Sequence, residues 1–345
     1  MRETLDFIVI GAQKAGTSSV FEHLRAHPDL YLAPEKDHPF FSHDRTYADG
    51  WPAYMWNAFR GAPDEARWGT VTVGYMMGRP VLSKGRVPVE RAAGARTERI
   101  IPERIRAQLP DIKLIAILRD PVARCVSHYG YDISLGSADR GRFDETIDEL
   151  LTPSALERSR HEEGAGFVVW GEYGRILAAY YEVFPREQIQ ICFTSDLERA
   201  PREFMRELFR YLDVDGDFVP PKLHARYRQA ASAKRIGWLP SPAEVERKVA
   251  RQDWARSLWR RLPAQVQTRA LMGSREANYR FRLWNRSGVP FDGHEASPET
   301  LERLRAHYEH DRRLLEEVIG KRVPWGEVAH RSPALSESGP APADT

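Results

Sequence analysis

The chain has few of the residues that build disulfides or metal centres. Its 345 residues include only two cysteines, Cys125 and Cys192. Both lie in apolar patterns, which favours buried free thiols over a disulfide. Neither belongs to a Cys/His spacing typical of a zinc site. We therefore expect no disulfide and no metal site.

Long apolar runs and a strong net charge are also missing. No run approaches the ~20 apolar residues of a membrane span, and the first apolar segment already begins at Phe7, which leaves no room for a signal peptide. The net charge is only +2, without a long Lys/Arg block. These absences predict a cytoplasmic protein with no membrane span and no nucleic-acid partner. The Arg/Ala-rich composition suits a bacterial source.

Apolar runs alternate with helical patterns along most of the chain. An apolar content of 42% allows a sizeable core. The alternation predicts an α/β fold with a central parallel sheet flanked by helices. Strands are predicted at 7–11, 30–32, 71–73, 113–119 and 188–193, and helices at 17–27, 101–109, 170–184, 197–212 and 298–319.

The carboxyl-terminal third does not continue this alternation of apolar runs and helical patterns. Residues 222–290 are rich in Arg and Trp and show few strand signals, which predicts a helical or loop-rich insert, either a lid or a substrate-facing segment. Residues 331–345 have the composition of a disordered tail. We therefore expect a single domain over residues 1–330.

A glycine-bounded loop follows the first predicted strand. Gly11 and Gly16 enclose it, and hydroxyl residues open the next helix. Such a loop turns backbone N–H groups and the positive helix end toward an anion. ATP-type loops carry lysine directly after the second glycine, whereas here Thr17 follows Gly16 and the lysine is Lys14. The sequence therefore predicts a phosphate cradle, but not an ordinary ATP or GTP site.

A second anion site is predicted where the strand at 113–119 ends. Arg119 lies at its carboxyl end, the edge at which open α/β sheets bind ligands. Asp120 suits the N-cap and Pro121 the first position of the next helix. Ser127 follows about two turns later. Arg119 and Ser127 can therefore grip a second phosphate.

The two elements together resemble the sulfotransferases that use 3′-phosphoadenosine 5′-phosphosulfate (PAPS). That family has a Lys-x-Gly-Thr-[ST] loop for the 5′-phosphosulfate and an Arg-Asp-Pro-x-x-Arg-x-x-Ser-x-[YH] element for the 3′-phosphate. Residues 14–18 and 119–129 match these motifs, and the resemblance continues through residues 171–175 and 320–325. It implies a P-loop-type fold and a donor site formed by Lys14, Ala15, Gly16, Thr17, Ser18, Ser19, Arg119 and Ser127.

The resemblance also implies the chemistry of the site. Lys14 would stabilise charge on the leaving bridge oxygen, and no metal would be needed. Residues 34–41 resemble a Lys-Glu-x-His-Phe-Phe segment, whose glutamate is the base in heparan-type members. Aligned on Phe40 and Phe41, Asp37 takes the glutamate position and His38 is adjacent. The base is therefore Asp37 or His38, with Asp37 favoured.

One departure from heparan-type members concerns the acceptor. Many of them read Gly-Glu-Lys-Thr-Pro-x-Tyr where this chain has Thr70 and Val71 in place of the charged pair, while Thr72 and Tyr75 match. The missing charges favour a smaller or less charged acceptor than heparan. We expect transfer to a hydroxyl of a small molecule, lipid or carbohydrate, with Thr72 and Tyr75 lining the acceptor side.

Two other functions remain open from the sequence. A small-molecule kinase would use ATP, but it requires a lysine after Gly16 and an acidic Mg²⁺ ligand at a strand end, and Asp120 is better suited to capping its helix. A non-catalytic nucleotide-binding protein would keep the phosphate cradle without a base. The ambiguity between Asp37 and His38 is the feature that favours this second alternative.

Overall fold

The computed structural model describes residues 2–81, 96–135, 137–161, 166–224 and 296–325. The chain divides into two compact units. One contains Met1–Arg124, Leu150–Tyr227 and Glu302–Thr345, and the other contains Cys125–Glu149 and Arg228–Leu301. Most of the predicted insert, from residue 225 to 290, and the predicted tail at 331–345 lie outside the described residues. The single-domain organisation stays a prediction.

A five-stranded parallel sheet forms the centre of the first unit. Its order is β2-β3-β1-β4-β5, and every neighbouring pair runs parallel. This confirms the predicted α/β class with a central parallel sheet. The strands are β1 (Phe7–Gly11), β2 (Leu30–Leu32), β3 (Arg67–Val71), β4 (Lys113–Leu118) and β5 (Ile189–Phe193).

Helices flank this sheet and connect its strands. The described helices are α1 (Thr17–Arg25), α2 (Asp44–Ala48), α3 (Trp51–Phe59), α4 (Thr97–Gln108), α5 (Pro121–Leu135), α6 (Phe143–Leu150), α7 (Pro153–His161), α8 (Tyr173–Tyr181), α9 (Thr194–Arg199), α10 (Pro201–Tyr211) and α11 (Pro298–Ile319). None of these helices is both long and apolar enough to cross a membrane.

The two central strands explain why the sheet is easy to recognise in the sequence. All five residues of β1 are buried, and β4 is buried from Leu114 to Leu118. Strands of a parallel sheet are covered on both faces, so they appear as continuous apolar runs. The predictions for β1, β2, β4 and β5 are confirmed to within a residue at each end.

The position predicted for β3 was wrong. The apolar run at 71–73 predicted the strand there, but the observed strand is Arg67–Val71, followed by a 3₁₀ turn at Val73–Met76. Pairing decides the register, because Gly69 lies opposite Phe7 on β1. A Cβ atom on Gly69 would come within 2.2 Å of the Phe7 ring. The glycine therefore makes room for a core phenylalanine.

Two predicted helices also needed correction. The helix expected from residue 170 begins at Tyr173, where the carboxylate of Asp311 on α11 accepts the amides of Gly174 and Arg175, each at 2.8 Å. The helix expected over 197–212 is two helices, α9 and α10, that meet at Pro201. Proline has no N–H to continue a helix, but it suits a first turn.

The two cysteines differ in burial. Both are free thiols, as predicted, and Cys125 is buried. Cys192 is only partly buried, because β5 is an edge strand whose residues alternate between buried and partly exposed positions. The expectation of buried thiols is therefore met by Cys125 and only in part by Cys192.

A buried ion-pair network surrounds Glu172, which directly precedes α8. The Glu172 side chain is 3% exposed, and its carboxylate accepts hydrogen bonds from Arg160 at 2.7 Å, from Arg175 at 2.7 Å and from His307 at 3.2 Å. Burial by itself raises the pKa of Glu172, but hydrogen bonds from His307 and Arg160 and the charge of Arg175 outweigh it and hold the pKa at about 2. The network ties α7, α8 and α11 together.

Glu172→Gln is expected to lower the free energy of unfolding by about 3 kcal/mol at pH 7, because it removes the buried charge that Arg160, Arg175 and His307, all partly buried, surround. The pKa in the folded protein lies below the ordinary 4.5. The stabilisation that ionised Glu172 gives to the folded state is therefore complete above pH 4.5 and is lost as the pH falls toward 2. Urea unfolding at pH 7 and pH 3 measures it.

The matched control is Glu302→Gln on α11. Glu302 forms an exposed pair with Arg305 at 3.1 Å, with its side chain 74% exposed. Exposed pairs contribute at most about 1 kcal/mol. Equal losses in the two variants, or a loss at Glu172 that does not change with pH, would contradict the assignment of stability to the buried network.

The second unit contains most of α5 and α6 and the start of α11. Tyr129 packs edge-to-face on Phe143 with ring centroids 5.0 Å apart, and its hydroxyl donates to the Asp139 carbonyl at 2.7 Å. The amide of Ser297 donates to Asp144 at 3.1 Å. These contacts join α5, α6 and the segment before α11 into one local core.

Candidate active site

The candidate site lies at the carboxyl ends of β1 and β4. β1 is central in the sheet, with β3 on one side and β4 on the other. The chain passes from β1 to β2 and β3 on one side and then crosses to β4, so the strand order reverses between β1 and β4. Ligands of open α/β sheets bind outside the carboxyl ends at this kind of switch point. The predicted phosphate loop and Arg119 both belong to this edge.

The loop after β1 presents an uncapped helix end. Gly16 has φ 89° and ψ 4°, and α1 begins at the next residue, so the N-cap position has no side chain that could cap the first turn. The first amides of a helix have no intrahelical acceptor and carry the positive end of the helix dipole. Residues other than glycine rarely adopt this backbone conformation. A Cβ atom at Gly16 would also lie 3.2 Å from the Leu197 side chain.

Lys14 and Arg119 meet at this loop. Lys14 has a left-handed backbone conformation, with φ 67°. Its carbonyl oxygen accepts a hydrogen bond from Arg119 Nη1 at 3.2 Å. Arginine has several N–H donors in a fixed fork, so the same guanidinium can also donate to an anion. The structure thus brings together the two predicted motifs, which are separated by about a hundred residues in the sequence.

Thr194 is a residue of this edge that sequence reasoning missed. It follows β5 directly, and its hydroxyl contacts the Ala15 carbonyl at 2.9 Å and the Leu118 carbonyl at 3.1 Å. The side chain therefore links the loop to the end of β4. The signal was available, because a hydroxyl residue directly after a parallel strand belongs to the ligand-binding edge.

The helix after Arg119 has the predicted start. Asp120 Oδ1 accepts the amide of Ala123 at 2.7 Å, which is N-cap geometry, and α5 begins at Pro121. Arg124 is fully buried and donates to the carbonyls of Gly166 and Phe167, so it anchors the chain before α8. Ser127 lies on α5, two turns after Asp120, in the second unit.

The second candidate region is the turn before Phe40. Asp37 has φ 67°, and its amide donates to the Val71 carbonyl at the end of β3, at 2.8 Å. Its carboxylate is 38% exposed and accepts Lys36 Nζ at 3.0 Å on Oδ1 and 2.9 Å on Oδ2. The Val73 amide also donates to Oδ1, at 3.1 Å. The carboxylate is therefore held in place and still reaches solvent.

His38 has a different environment. Its ring packs against Tyr54 with centroids 4.7 Å apart, and its Nδ1 is buried without a hydrogen-bond partner among the described residues. Burial, with a smaller effect from His43, lowers the pKa of His38. The ring is therefore held in its neutral form against the aromatic core.

The residues on the β3 side of this turn support its backbone. Thr72 and Tyr75 are each 1% exposed, and their hydroxyls donate to the His38 carbonyl at 3.1 Å and 3.2 Å. The expectation that they line the acceptor side was therefore wrong, because both are buried beneath the turn. Thr70 is buried as well, at 1% exposure. No group of His, Cys, Asp or Glu side chains in the described segments is arranged to hold a metal ion.

A family model described as the sulfotransferase domain matches residues 4–234, more than half of the chain. The chain belongs to the sulfotransferase family. Mouse heparan sulfate glucosamine 3-O-sulfotransferase 3B1 is 32% identical over 207 residues, which cover 60% of this chain and 45% of the mouse protein. The Drosophila melanogaster bifunctional heparan sulfate N-deacetylase/N-sulfotransferase is 28% identical over 244 residues, 66% of this chain and 22% of the fly protein.

A solved sulfotransferase shares the fold. The crystal structure of a sulfotransferase from Alicyclobacillus acidocaldarius aligns with a TM-score of 0.54 and 20% identity, over 92% of this chain and 97% of that one. This confirms the predicted P-loop-type sulfotransferase fold. The chain spans less than half the length of the mouse and fly relatives that it matches.

Proposed function

We propose that this sulfotransferase moves the sulfuryl group of PAPS to a hydroxyl of a small-molecule, lipid or carbohydrate acceptor. The observation that carries the proposal is the hydrogen bond between Arg119 and the Lys14 carbonyl, which joins the two predicted anion-binding elements at the switch point of the sheet. Family membership supports sulfuryl transfer and does not favour an ATP-dependent kinase. A cytoplasmic location and a bacterial source stay predictions from composition.

The donor half of the site fits a phosphosulfate. Three kinds of group donate hydrogen bonds to the phosphosulfate end of PAPS. They are the uncapped amides at the start of α1, the hydroxyls of Thr17 and Ser18, and the ammonium of Lys14. Ala15, Gly16 and Ser19 complete the loop. Arg119 supplies charge-assisted donors for the 3′-phosphate, and the role of Ser127 in that site stays a prediction from the motif. When bound, the donor supplies an activated sulfuryl group.

Asp37 fits the role of base better than His38. Among the described residues, only Lys36 donates a hydrogen bond to Asp37 Oδ2, and the Asp37 side chain is 38% exposed. A carboxylate oxygen has two lone pairs, so Oδ2 can still accept a hydrogen bond from the hydroxyl of the acceptor substrate. The His38 ring instead packs in the aromatic core with Nδ1 buried.

The proposed reaction is an in-line displacement at sulfur. The acceptor O–H proton passes to Asp37 Oδ2, and the oxygen electron pair forms the new S–O bond. The S–O bond to the 5′-phosphate breaks, and its electron pair leaves on the phosphate oxygen. Lys14 and the loop amides stabilise the charge that develops there, in the way that fixed donors assist phosphoryl transfer.

The segment at residues 70–71 favours an acceptor with little negative charge. Thr70 and Val71 stand where many heparan-type members carry a Glu-Lys pair, so this segment brings no charge to the site. The cation that contacts the candidate base, Lys36, is already paired with Asp37. A polyanionic acceptor requires cations that are available to it. We therefore propose a neutral alcohol, phenol or lightly charged sugar rather than a heparan-like polymer.

A transfer assay with labelled donor tests the proposed function. The full-length protein is incubated without added metal with ³⁵S-labelled PAPS and a panel of phenols, sugars, lipid alcohols and heparan fragments. Label is expected in a neutral acceptor. Phosphate transfer from ATP with Mg²⁺ and no sulfuryl transfer would overturn the proposal, and label found only in heparan fragments would overturn the proposed acceptor class.

Arg119→Ala is expected to weaken binding of 3′,5′-ADP, the donor product, by about 10- to 100-fold, because a charge-assisted contact to the 3′-phosphate is lost. Isothermal titration measures the dissociation constant. The matched ligand is 5′-AMP, which lacks the 3′-phosphate and is expected to bind the variant and the unchanged protein alike. An equal loss with both nucleotides would place Arg119 at the loop rather than at the 3′-phosphate.

A further inference from the structure

Lys36 holds the carboxylate of Asp37 in an unusual contact between adjacent residues. Neighbouring side chains in extended or helical backbone point in different directions. Here Nζ lies 3.0 Å from Oδ1 and 2.9 Å from Oδ2, so the ammonium binds both oxygens. The left-handed backbone of Asp37, at φ 67°, accompanies this turn of the chain. Asp adopts this region more readily than most residues, but at some cost in energy.

Burial makes the contact stronger than an ordinary surface pair. The Lys36 side chain is only 10% exposed, whereas the carboxylate of Asp37 is 38% exposed. A lysine that loses most of its water needs a partner to compensate, and the attraction between opposite charges grows as water is excluded. The ammonium side of the pair is therefore enclosed, and the carboxylate side faces outward.

The remaining contacts fix the orientation of the carboxylate. The Val73 amide donates to Oδ1, and the backbone of Asp37 is bonded to the end of β3 through the Val71 carbonyl. With Lys36 on both oxygens, three hydrogen bonds from two donor groups define the plane of the carboxylate. The lone pair that remains on Oδ2 is the one that an acceptor hydroxyl can use.

We propose that Lys36 is a positioning residue for the base: it orients Asp37 so that Oδ2 faces the acceptor hydroxyl. The inference rests on the proposed function and deepens it by assigning the residue that aligns the base. Lys36 moves no proton itself. It keeps the carboxylate in the orientation that the displacement requires, and misplacement of a reacting group by about 1 Å can cost ~10²-fold in rate.

The chain offers a matched control pair at the opposite edge of the sheet. Lys113, the first residue of β4, binds Asp213 Oδ2 at 2.5 Å, and Asp213 also has a left-handed backbone, with φ 56°. The Asp213 side chain is 58% exposed. The pair therefore shares with Lys36 and Asp37 a lysine–aspartate contact and a left-handed aspartate, away from the carboxyl edge where the site lies.

Three variants test the proposal in the full chain. Lys36→Met is expected to lower kcat by about 10- to 100-fold with little change in the acceptor KM or in binding of 3′,5′-ADP. Lys36→Arg keeps a cation that can bind both oxygens and is expected to stay within about threefold of the unchanged protein. Lys113→Met is expected to leave kcat unchanged. Unchanged kcat in Lys36→Met, or an equal loss in Lys36→Arg, overturns the proposal.

A second measurement is independent of catalysis. Hydrogen–deuterium exchange of the Val73 amide reports its bond to Asp37 Oδ1, and it is expected to become several-fold faster in Lys36→Met but not in Lys36→Arg or Lys113→Met. Unchanged exchange at Val73 in Lys36→Met overturns the proposal even if no acceptor is found. Faster exchange in a protein that transfers no sulfuryl group would instead contradict only the proposed function.

Discussion

Asp37→Asn is expected to lower kcat by about 10²- to 10⁴-fold, the usual contribution of a general base. Asparagine has nearly the same shape and adopts the left-handed backbone readily, so the turn at φ 67° is preserved. The amide can no longer accept the proton of the acceptor hydroxyl. Steady-state assays with saturating labelled PAPS measure the loss.

The physical reason for the size of this effect is the environment of the carboxylate. Lys36 and the Val73 amide hold it in one orientation, and its outer face is open to solvent. A base that is already oriented contributes its full effect without the cost of ordering its side chain. Binding of 3′,5′-ADP is expected to stay unchanged, because the loop and Arg119 belong to other strand ends.

Asp213→Asn is the matched control for this variant. It changes an aspartate with the same backbone region and the same kind of lysine partner at the amino-terminal end of β4. It is expected to keep the kcat of the unchanged protein. If Asp37→Asn retained full activity, the base would be His38, and a loss in His38→Gln would then be decisive.

Lys14→Met is expected to lower kcat by about 10²- to 10³-fold, the loss seen when one preorganised donor is removed from a developing negative charge. Methionine keeps the length of the side chain, so the packing of the loop changes little. Binding of 3′,5′-ADP is expected to weaken by a smaller factor. An interaction that strengthens as the bridge oxygen gains charge contributes more to turnover than to ground-state binding.

The backbone contact at Lys14 provides an internal control. Arg119 bonds to its carbonyl oxygen, which the substitution leaves in place. The joining of the loop to the end of β4 should therefore persist, and the melting temperature should not change. If kcat stayed the same and only nucleotide affinity fell, Lys14 would be a binding residue without a role at the bridge oxygen.

Much of the fold could be predicted because its signals are local. β1 and β4 are continuous apolar runs, the loop at Gly16 needs a left-handed residue, and Asp120 and Pro121 mark the start of α5. Each of these features depends on a few neighbouring residues. The motifs around Lys14 and Arg119 were readable for the same reason.

The errors arose where distant residues decide the structure. The position of β3 depends on the fit of Gly69 over Phe7, and the start of α8 depends on Asp311 from the last helix. The buried carboxylate of Glu172 joins α7 and α8 to His307 on α11, 135 residues later in the sequence. None of these contacts leaves a periodic pattern in the sequence.

The choice between Asp37 and His38 shows the same limit within one turn. Aligned on Phe40 and Phe41, Asp37 takes the glutamate position of the family segment, but the adjacent His38 stayed an alternative. Tertiary structure packs the His38 ring against Tyr54, with its Nδ1 buried, and pairs the exposed Asp37 carboxylate with Lys36. The alignment alone already favoured Asp37, and the exposure of its carboxylate, a property of the folded chain, adds support to that preference.

The sequence by itself determined the sulfotransferase family and predicted the chemistry of the donor loop, because a lysine inside a Gly-bounded loop and an arginine at a strand end are encoded by short segments. Only the tertiary structure decided how these pieces meet. The order of the strands places β1 beside β4, so that Arg119 reaches the Lys14 carbonyl. The tertiary structure also brings Lys36 into contact with Asp37, in a turn whose backbone is hydrogen-bonded to the end of β3.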